Sequence, residues 1–299
     1  MTYDNRYLGV WILGILLFAI SCACSTSEQS THTATPLPDQ SPVPQVIIGS
    51  TDLAVGENRL FFAILDADGE SLKQHSVAVS FAHQDGPETI PEGEVTAVFR
   101  QWPYDRGVYT VQVSFDRAGT WRMDVDTHIP SRPLVASALV DVGQTSVTPA
   151  LGSRPPSSQS KTLGDVNRLE ELTSDPIPDE ELYSMTIAEA LQAGKPLVVT
   201  FATPAFCLSS NCGPQVDVIK EVKVGYSGRV NFIHVEVFDN PVEMRGNDRL
   251  RRLSPVMVEW GLESEPYTWI IDALGNVSAK FEGFATAEEL DGAIQDTLS

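Results

Sequence analysis

The N-terminal half of the chain alternates apolar and polar residues with a period of two. In residues 108–115, one face of the predicted strand takes four apolar side chains, namely Tyr109, Val111, Val113 and Phe115. Residues 121–125 repeat the alternation, and turn-forming residues at 116–119 lie between the two segments. Because alternation of this length indicates half-buried strands, we predict a β-hairpin over residues 108–125.

The same half contains further short apolar segments separated by turn residues. They predict additional strands at residues 59–65, 77–81, 94–99 and 135–142. Six or seven short strands within residues 46–143 are typical of an all-β domain of the immunoglobulin-like sandwich type. We therefore expect a β-sandwich module in this half of the chain.

The pattern changes in the C-terminal half, where helical periodicity alternates with short, continuous apolar runs. Residues 196–202 form a continuous apolar run that contains β-branched residues, which indicates a strand covered on both faces, and residues 230–237 predict a second buried strand. Two further strands are predicted at 267–272 and 277–281, with a turn between them. Helices are predicted at 186–191, 215–226, 249–260 and 286–298. The result is an α/β domain, a central sheet flanked by helices, over residues 165–299.

Segments rich in Ser, Thr and Pro separate the apolar blocks and define the predicted domain boundaries. Such segments cannot bury enough apolar surface to fold by themselves, and their composition is typical of tethers or linkers. We predict a two-domain protein with a leader: a signal peptide at 1–21, a tether at 22–45, the β-sandwich at 46–143, a linker at 144–164 and the α/β domain at 165–299.

The leader contains an apolar run at residues 8–20 that ends close to a cysteine. Thirteen residues are too few to cross a bilayer as a helix, which takes about 20, so the run is typical of a signal-peptide core. The sequence Ala19-Ile20-Ser21-Cys22 resembles the lipobox of bacterial lipoproteins. That resemblance implies that Cys22 is lipid-modified and that the protein lies outside the cytoplasm, anchored to the cell membrane or envelope. Cys24 is a second candidate for the modified residue.

The charge of the chain limits the classes of partner that it can bind. The protein has 40 acidic and 20 basic side chains among 299 residues and a formal net charge of -20. A surface of this sign repels phosphate backbones, so we expect no nucleic-acid partner. The sequence also lacks a phosphate-binding glycine loop, a zinc-ligand spacing and a nucleophile elbow. We therefore expect no cofactor and no bound metal.

Four short sequences of the C-terminal half stand out: the strand end at 201–206 leading into Cys207, the tripeptide Cys212-Gly213-Pro214, the sequence Glu265-Pro266-Tyr267 before the third strand, and Phe281-Glu282-Gly283 at the end of the last hairpin. With these sequences, this half of the chain resembles the thioredoxin-like fold. The resemblance implies a central mixed sheet flanked by helices, a redox-active Cys207–Cys212 disulfide, and a cis proline at Pro266 that packs against the cysteines. Cys207, Cys212 and Pro266 are the candidate catalytic residues.

The spacing of the cysteines departs from that family, since four residues separate them instead of two. A five-residue step on a helix rotates by about 500°, or about 140° net, so the two sulfurs could not share one helix face. Residues 207–211 are therefore predicted as a loop, with the helix beginning near Pro214. Either cysteine can be the attacking one: Cys207 follows an aromatic residue, whereas Cys212 lies against the helix N-terminus, where a thiol pKa falls. The position at which many thioredoxins carry a buried acid is Thr200.

These observations lead to three functional hypotheses. The first is an exported, membrane-tethered thiol-disulfide oxidoreductase that acts on protein thiols and disulfides outside the cytoplasm. The second is a binding or scaffold lipoprotein in which the disulfide is structural. The third is copper delivery, in which the two cysteines and His234 would hold the metal.

Overall fold

The computed structural model describes residues 44–85, 94–127 and 135–299. These residues belong to one compact unit. The predicted signal peptide, Cys22 and nearly all of the predicted tether lie outside the described residues. Within the described ranges, no helix is both long and apolar enough to cross a membrane.

The N-terminal half is all-β, as the alternation predicts. Its described residues form seven strands: β1 (Gln45–Ile48), β2 (Gly56–Leu65), β3 (Ser76–His83), β4 (Glu94–Trp102), β5 (Arg106–Phe115), β6 (Gly119–Asp126) and β7 (Val135–Val142). They hydrogen-bond in the order β1-β2-β5-β4-β3-β6-β7, with β4 joining two groups of strands because it pairs with β5 on one side and β3 on the other. The assignment to the immunoglobulin-like type stays a prediction.

The predicted hairpin over residues 108–125 is wrong. Strand β5 pairs with β2 and β4, and strand β6 pairs with β3 and β7, so the two strands share no ladder. Both edges of β5 are already occupied, and the turn therefore carries the chain across the core to the other group of strands. There the rings of Phe115 and Trp121 pack at 5.1 Å between centroids. A turn sequence specifies that the chain reverses, but tertiary packing decides which strand it joins.

The C-terminal half has a central four-stranded sheet. Its strands are β8 (Leu197–Ala202), β9 (Asn231–Glu236), β10 (Tyr267–Ile271) and β11 (Val277–Glu282), in the order β11-β10-β8-β9. Strand β8 runs parallel to β9 and antiparallel to β10, so the sheet is mixed. All six residues of β8 and all five of β10 are buried, in agreement with their continuous apolar character.

Helices flank this sheet. They are α1 (Ile187–Gln192), α2 (Cys212–Val224), α3 (Pro241–Met244), α4 (Pro255–Glu259) and α5 (Ala287–Leu298). Helices α1 and α5 both begin with a capping box, in which Thr186 and Thr286 exchange hydrogen bonds with the glutamate three residues later. These caps explain why the sequence locates both helix starts correctly.

Two helix predictions differ from the structure. Residues 249–260 do not form one helix but a 3₁₀ turn, Asp248–Leu250, followed by the short helix α4. Pro255 explains the break, because proline holds Ser254 before it in an extended conformation and serves as the first helical residue. Helix α2 begins at Cys212, two residues before the predicted start. Pro214 is tolerated there because the first N–H groups of a helix have no partner within it.

The Ser/Pro-rich segment between the two halves makes specific contacts with both. The Asp52 carboxylate accepts hydrogen bonds from Ser146 and Thr148. Further along, the Ser158 hydroxyl accepts from the Trp260 indole N–H at 3.0 Å, and the Ser160 hydroxyl accepts from the first amide of α1 at 3.0 Å. The segment therefore lies against the protein, while its predicted boundaries stay a prediction.

Buried charged groups join the two halves directly. The Arg59 guanidinium, on β2, pairs with the Glu289 carboxylate of α5 at 2.8 Å, and their side chains are 4% and 7% exposed. Lys280, on β11, pairs with Asp52 at 2.7 Å, and Lys280 together with neighbouring hydroxyls holds the pKa of Asp52 well below its usual range against the opposing effect of burial. Because these pairs are shielded from water, each half depends on the other for charge compensation.

Replacing Arg59 by Met should destabilise the whole protein, because it removes the closer ion pair of the buried Glu289 carboxylate and leaves the longer one to Arg100, at 3.8 Å. We expect the free energy of unfolding to fall by about 3 kcal/mol, the lower end of the cost of breaking a buried ion pair. Chemical denaturation followed by tryptophan fluorescence measures this. The matched control is Arg122→Met, because Arg122 pairs with Asp124 on the exposed surface, where such a pair contributes less than about 1 kcal/mol. Equal losses in the two variants would contradict the prediction.

Candidate functional site

The two cysteines of the C-terminal half lie at the end of the buried strand β8. The chain leaves β8 after Ala202 and passes through a loop, residues 203–211, before entering α2 at Cys212. Asn211 is the N-cap residue of that helix. The spacing argument is confirmed in its main point, since residues 207–211 are not helical.

Cys207 and Cys212 form a disulfide, with their Cα atoms 5.9 Å apart. The two sulfurs have different environments: Cys212 is 0% exposed, whereas Cys207 is partly exposed. The Cys212 amide N–H donates to the Cys207 sulfur at 3.3 Å, and the Ser209 hydroxyl lies 3.2 Å from the same sulfur. An amide at a helix N-terminus favours negative charge, so this arrangement stabilises a thiolate on Cys207.

Pro266 lies beside this loop, and the Glu265–Pro266 peptide bond is cis. The register of the sheet explains its place: Tyr267, the next residue, is opposite Phe201 in the β8–β10 ladder. The residue before the proline is closer to the chemistry than the sequence suggests. A Glu265 carboxylate oxygen and the sulfurs of Cys207 and Cys212 all lie within 4.8 Å of one another.

Sequence reasoning placed Pro266 at the site but missed Glu265. The one available signal is its position next to the proline, because any residue there must lie near the cysteines if the proline does. Glu265 is half-buried, and burial raises the pKa of its carboxyl group. Within the described part of the chain, this carboxylate has no hydrogen-bond or ion-pair partner.

The N-terminal half also contributes a side chain to the site. Arg106, the first residue of β5, donates from Nη2 to the Ser209 carbonyl and to the Asn211 side-chain oxygen, both at 3.0 Å. The turn before Arg106 contains two residues with positive φ, Tyr104 and Asp105, at 61° and 56°. No sequence motif points to Arg106, since it belongs to the other half of the chain.

The position of the family's buried acid holds no titratable group. The Thr200 hydroxyl is completely buried and lies 3.0 Å from the Thr268 hydroxyl, so the two threonines satisfy each other. Another acid, Glu236 at the end of β9, is buried as well, and burial raises the pKa of its carboxyl group. Its oxygens accept hydrogen bonds from Ser174 and from the Val237 amide.

His234 is a core residue of β9, and its ring is fully engaged. The Tyr183 hydroxyl donates to Nδ1 at 2.7 Å, and Nε2 donates to the Ala202 carbonyl at 3.0 Å. Burial lowers the pKa of this histidine to about 4, which keeps the ring neutral. With both nitrogens occupied, His234 offers no lone pair to a metal, and the copper hypothesis loses its third ligand.

Comparison with known proteins agrees with this geometry. Residues 183–298 match the family described as the thioredoxin-like domain, and this part of the chain is a thioredoxin-like domain. No curated protein matches the chain.

Several solved structures are similar to the chain. MTB DsbF, in its mixed oxidized and reduced forms, is 20% identical, with 48% of this chain and 98% of that chain covered and a TM-score of 0.33. A thioredoxin-family thiol:disulfide interchange protein from Chlorobium tepidum TLS is 19% identical, with 43% and 97% covered and a TM-score of 0.31. A putative thiol:disulfide interchange protein DsbE from Chlorobium tepidum is 13% identical, with 51% and 100% covered and a TM-score of 0.35.

Removing the Arg106 side chain should loosen the cysteine loop. We expect Arg106→Ala to raise amide hydrogen exchange in residues 208–212, because the Ser209 carbonyl and the Asn211 side chain lose the donor that restrains them. Mass spectrometry of peptic fragments from the oxidised protein measures this. Arg122→Ala, a change on an exposed face of the same half, should leave the exchange of this loop as it is. Unchanged exchange in Arg106→Ala would show that the contact does not restrain the loop.

Proposed function

We propose that this protein is an exported, membrane-tethered thiol-disulfide oxidoreductase that acts through the Cys207–Cys212 pair on protein thiols and disulfides outside the cytoplasm. The observation that carries the proposal is the asymmetry of the pair. A partly exposed sulfur is bonded to a completely buried one at the N-terminus of a helix, in a thioredoxin-like domain. In a pair of this kind, the partly exposed sulfur can react with a substrate. The buried sulfur can then attack the mixed disulfide and release the substrate.

The different exposures of the two cysteines support different roles for them. In the reduced protein, the Cys207 thiolate attacks a substrate disulfide, so that one substrate sulfur leaves as a thiolate and a mixed disulfide forms. The Cys212 sulfur then attacks Cys207, which breaks the mixed disulfide and releases the second substrate thiol. The substrate gains two electrons and two protons, and the protein ends with the Cys207–Cys212 disulfide. Oxidation of substrate dithiols is the reverse sequence.

Pro266 has a positioning role in this proposal. Pro266 joins Glu265 to β10. Strand β10 pairs with β8, and the loop of residues 203–211 begins at the end of β8. The substrate backbone would approach Cys207 along this edge, next to the cis peptide bond. The exposed Leu208 side chain, at 95%, offers an apolar contact on the same loop.

The membrane tether is the second part of the proposal. It rests on the apolar run at residues 8–20, on Cys22 at the end of the lipobox-like sequence, and on the Ser/Thr/Pro-rich segment that follows. Acyl chains on Cys22 would contribute about 0.8 kcal/mol per buried methylene, so two or more chains hold a protein at a membrane stably. An oxidising compartment also suits a disulfide at the active site.

The cysteine pair is tested with a model disulfide. We expect the full chain to reduce insulin in the presence of dithiothreitol, and Cys207→Ser to lower the rate to that of dithiothreitol alone, because the attacking thiolate is gone. Cys212→Ser should accumulate a mixed disulfide that mass spectrometry detects. Cys24→Ser is the matched control and should keep full activity. Activity that survives in a Cys207→Ser, Cys212→Ser double variant would refute the proposed reaction.

The tether is tested by fractionating cells that produce the protein. We expect the wild-type chain in the membrane fraction and the Cys22→Ala variant in the soluble fraction or in the unprocessed form, because the acylated side chain is missing. Cys24→Ala should stay with the membrane. If Cys24→Ala is the variant that is released, Cys24 is the modified residue; if both variants are processed and still stay in the membrane, the anchor is not a lipid on either cysteine.

A further inference from the structure

The release step of the proposed reaction needs a base close to Cys212. A thiol attacks a disulfide only as a thiolate. The Cys212 side chain is 0% exposed, and burial in apolar surroundings raises the pKa of a thiol. Bulk water does not reach this sulfur in the structure, so the proton has to pass to a group that already lies against the pair.

The positions that could supply such a group are few. Thr200 and Thr268 occupy the site of the family's buried acid and hydrogen-bond to each other, and neither titrates. The Glu236 carboxylate is occupied by Ser174 and Val237. His234 is hydrogen-bonded through both nitrogens.

Glu265 meets the requirement. One of its carboxylate oxygens lies within 4.8 Å of both sulfurs, and in the described part of the chain this carboxylate has no hydrogen-bond or ion-pair partner. The limit of 4.8 Å exceeds the length of a direct hydrogen bond, and a small side-chain rotation after reduction would close the remaining gap. Catalytic contacts commonly shorten in this way when the reacting state forms.

The charge of the surroundings suits a proton acceptor. Among the described histidine, cysteine and acidic side chains, the two cysteines are the ones that cluster with the Glu265 carboxylate, and burial is the cause of its raised pKa, without a contribution from a charged neighbour. Arg106 acts elsewhere on the loop, where it binds Ser209 and Asn211. A carboxyl group with a pKa raised toward neutrality can both accept a proton from a thiol and return it.

We propose that Glu265 is a catalytic residue of the exchange reaction, the group that accepts the Cys212 thiol proton when Cys212 attacks the mixed disulfide. This inference rests on the proposed function. In the step, the S–H bond of Cys212 breaks and its proton passes to the Glu265 carboxylate. A new S–S bond forms between Cys212 and Cys207, and the bond from Cys207 to the substrate sulfur breaks. The substrate thiolate leaves with the electron pair and takes up the proton from Glu265 or from water.

Ellman's reagent separates the two steps, because each releases one equivalent of the coloured thiol thionitrobenzoate. The reduced full chain is used with Cys22 and Cys24 replaced by Ser, which leaves Cys207 and Cys212 as the two thiols among its four cysteine positions. The first release reports the attack by Cys207 and depends on reagent concentration. The second release reports the attack of Cys212 on the mixed disulfide, and its rate does not depend on reagent concentration.

We expect Glu265→Gln to slow the second release by about 100-fold at neutral pH, the lower range of general-base catalysis, and to leave the first release within a few-fold. Glu265→Asp, which keeps the carboxylate, should recover part of the rate. Glu263→Gln, an exposed acid two residues away, should match the parent chain. The pH profile adds a readout that a structural role would not change: the parent reaches its plateau above the pKa of Glu265, whereas the Gln variant keeps rising with pH until the thiol itself ionises.

The outcomes separate the two proposals. A second release in Glu265→Gln that equals the parent in rate and pH profile overturns the role of Glu265 and leaves the proposed function standing. The same holds if Glu265→Asp is as slow as Glu265→Gln at every pH, because the carboxylate would then not be the active group. A parent chain that shows no first release overturns the proposed function itself.

Discussion

Strand β8 is the element on which the geometry of the site depends. All six of its residues are buried, and it pairs on one side with β9 and on the other with β10. This double pairing holds the start of the cysteine loop in place. It also brings the Glu265–Pro266 bond to the same edge of the sheet, because Tyr267 is opposite Phe201. The central position of β8 therefore brings Cys207, Cys212 and Glu265 together.

Two opposing electrostatic effects meet at the sulfurs. The first amide of α2 points at Cys207 and favours its thiolate, whereas an ionised Glu265 nearby would disfavour it. Burial keeps more of the Glu265 population protonated near neutral pH than an exposed glutamate would be. The carboxyl group can thus remain close to a thiolate without full charge repulsion, which is the condition under which it can also exchange a proton with the buried cysteine.

The N-terminal half is more than a spacer in this arrangement. It pairs with the C-terminal half through buried charges at Arg59 and Asp52, and it places Arg106 on the cysteine loop. Acidic side chains outnumber basic ones, and the net charge is -20. Few basic side chains are therefore present to compensate buried carboxylates. The few arginines and lysines at this junction neutralise carboxylates that would otherwise be buried alone.

The sequence by itself determined most elements of this protein and the two cysteines of its site. Period-two alternation located strands of the N-terminal half, a continuous apolar run located β8, and helical periodicity located α1 and α5, because these signals are local. The four-residue spacing excluded a helix over residues 207–211 for the same reason. Tertiary structure alone decided that β5 and β6 do not pair and that Glu265 and Arg106 reach the cysteine loop. These facts depend on which surfaces pack together across the fold, and side chains far apart in the chain carry no mark of the partner they will meet.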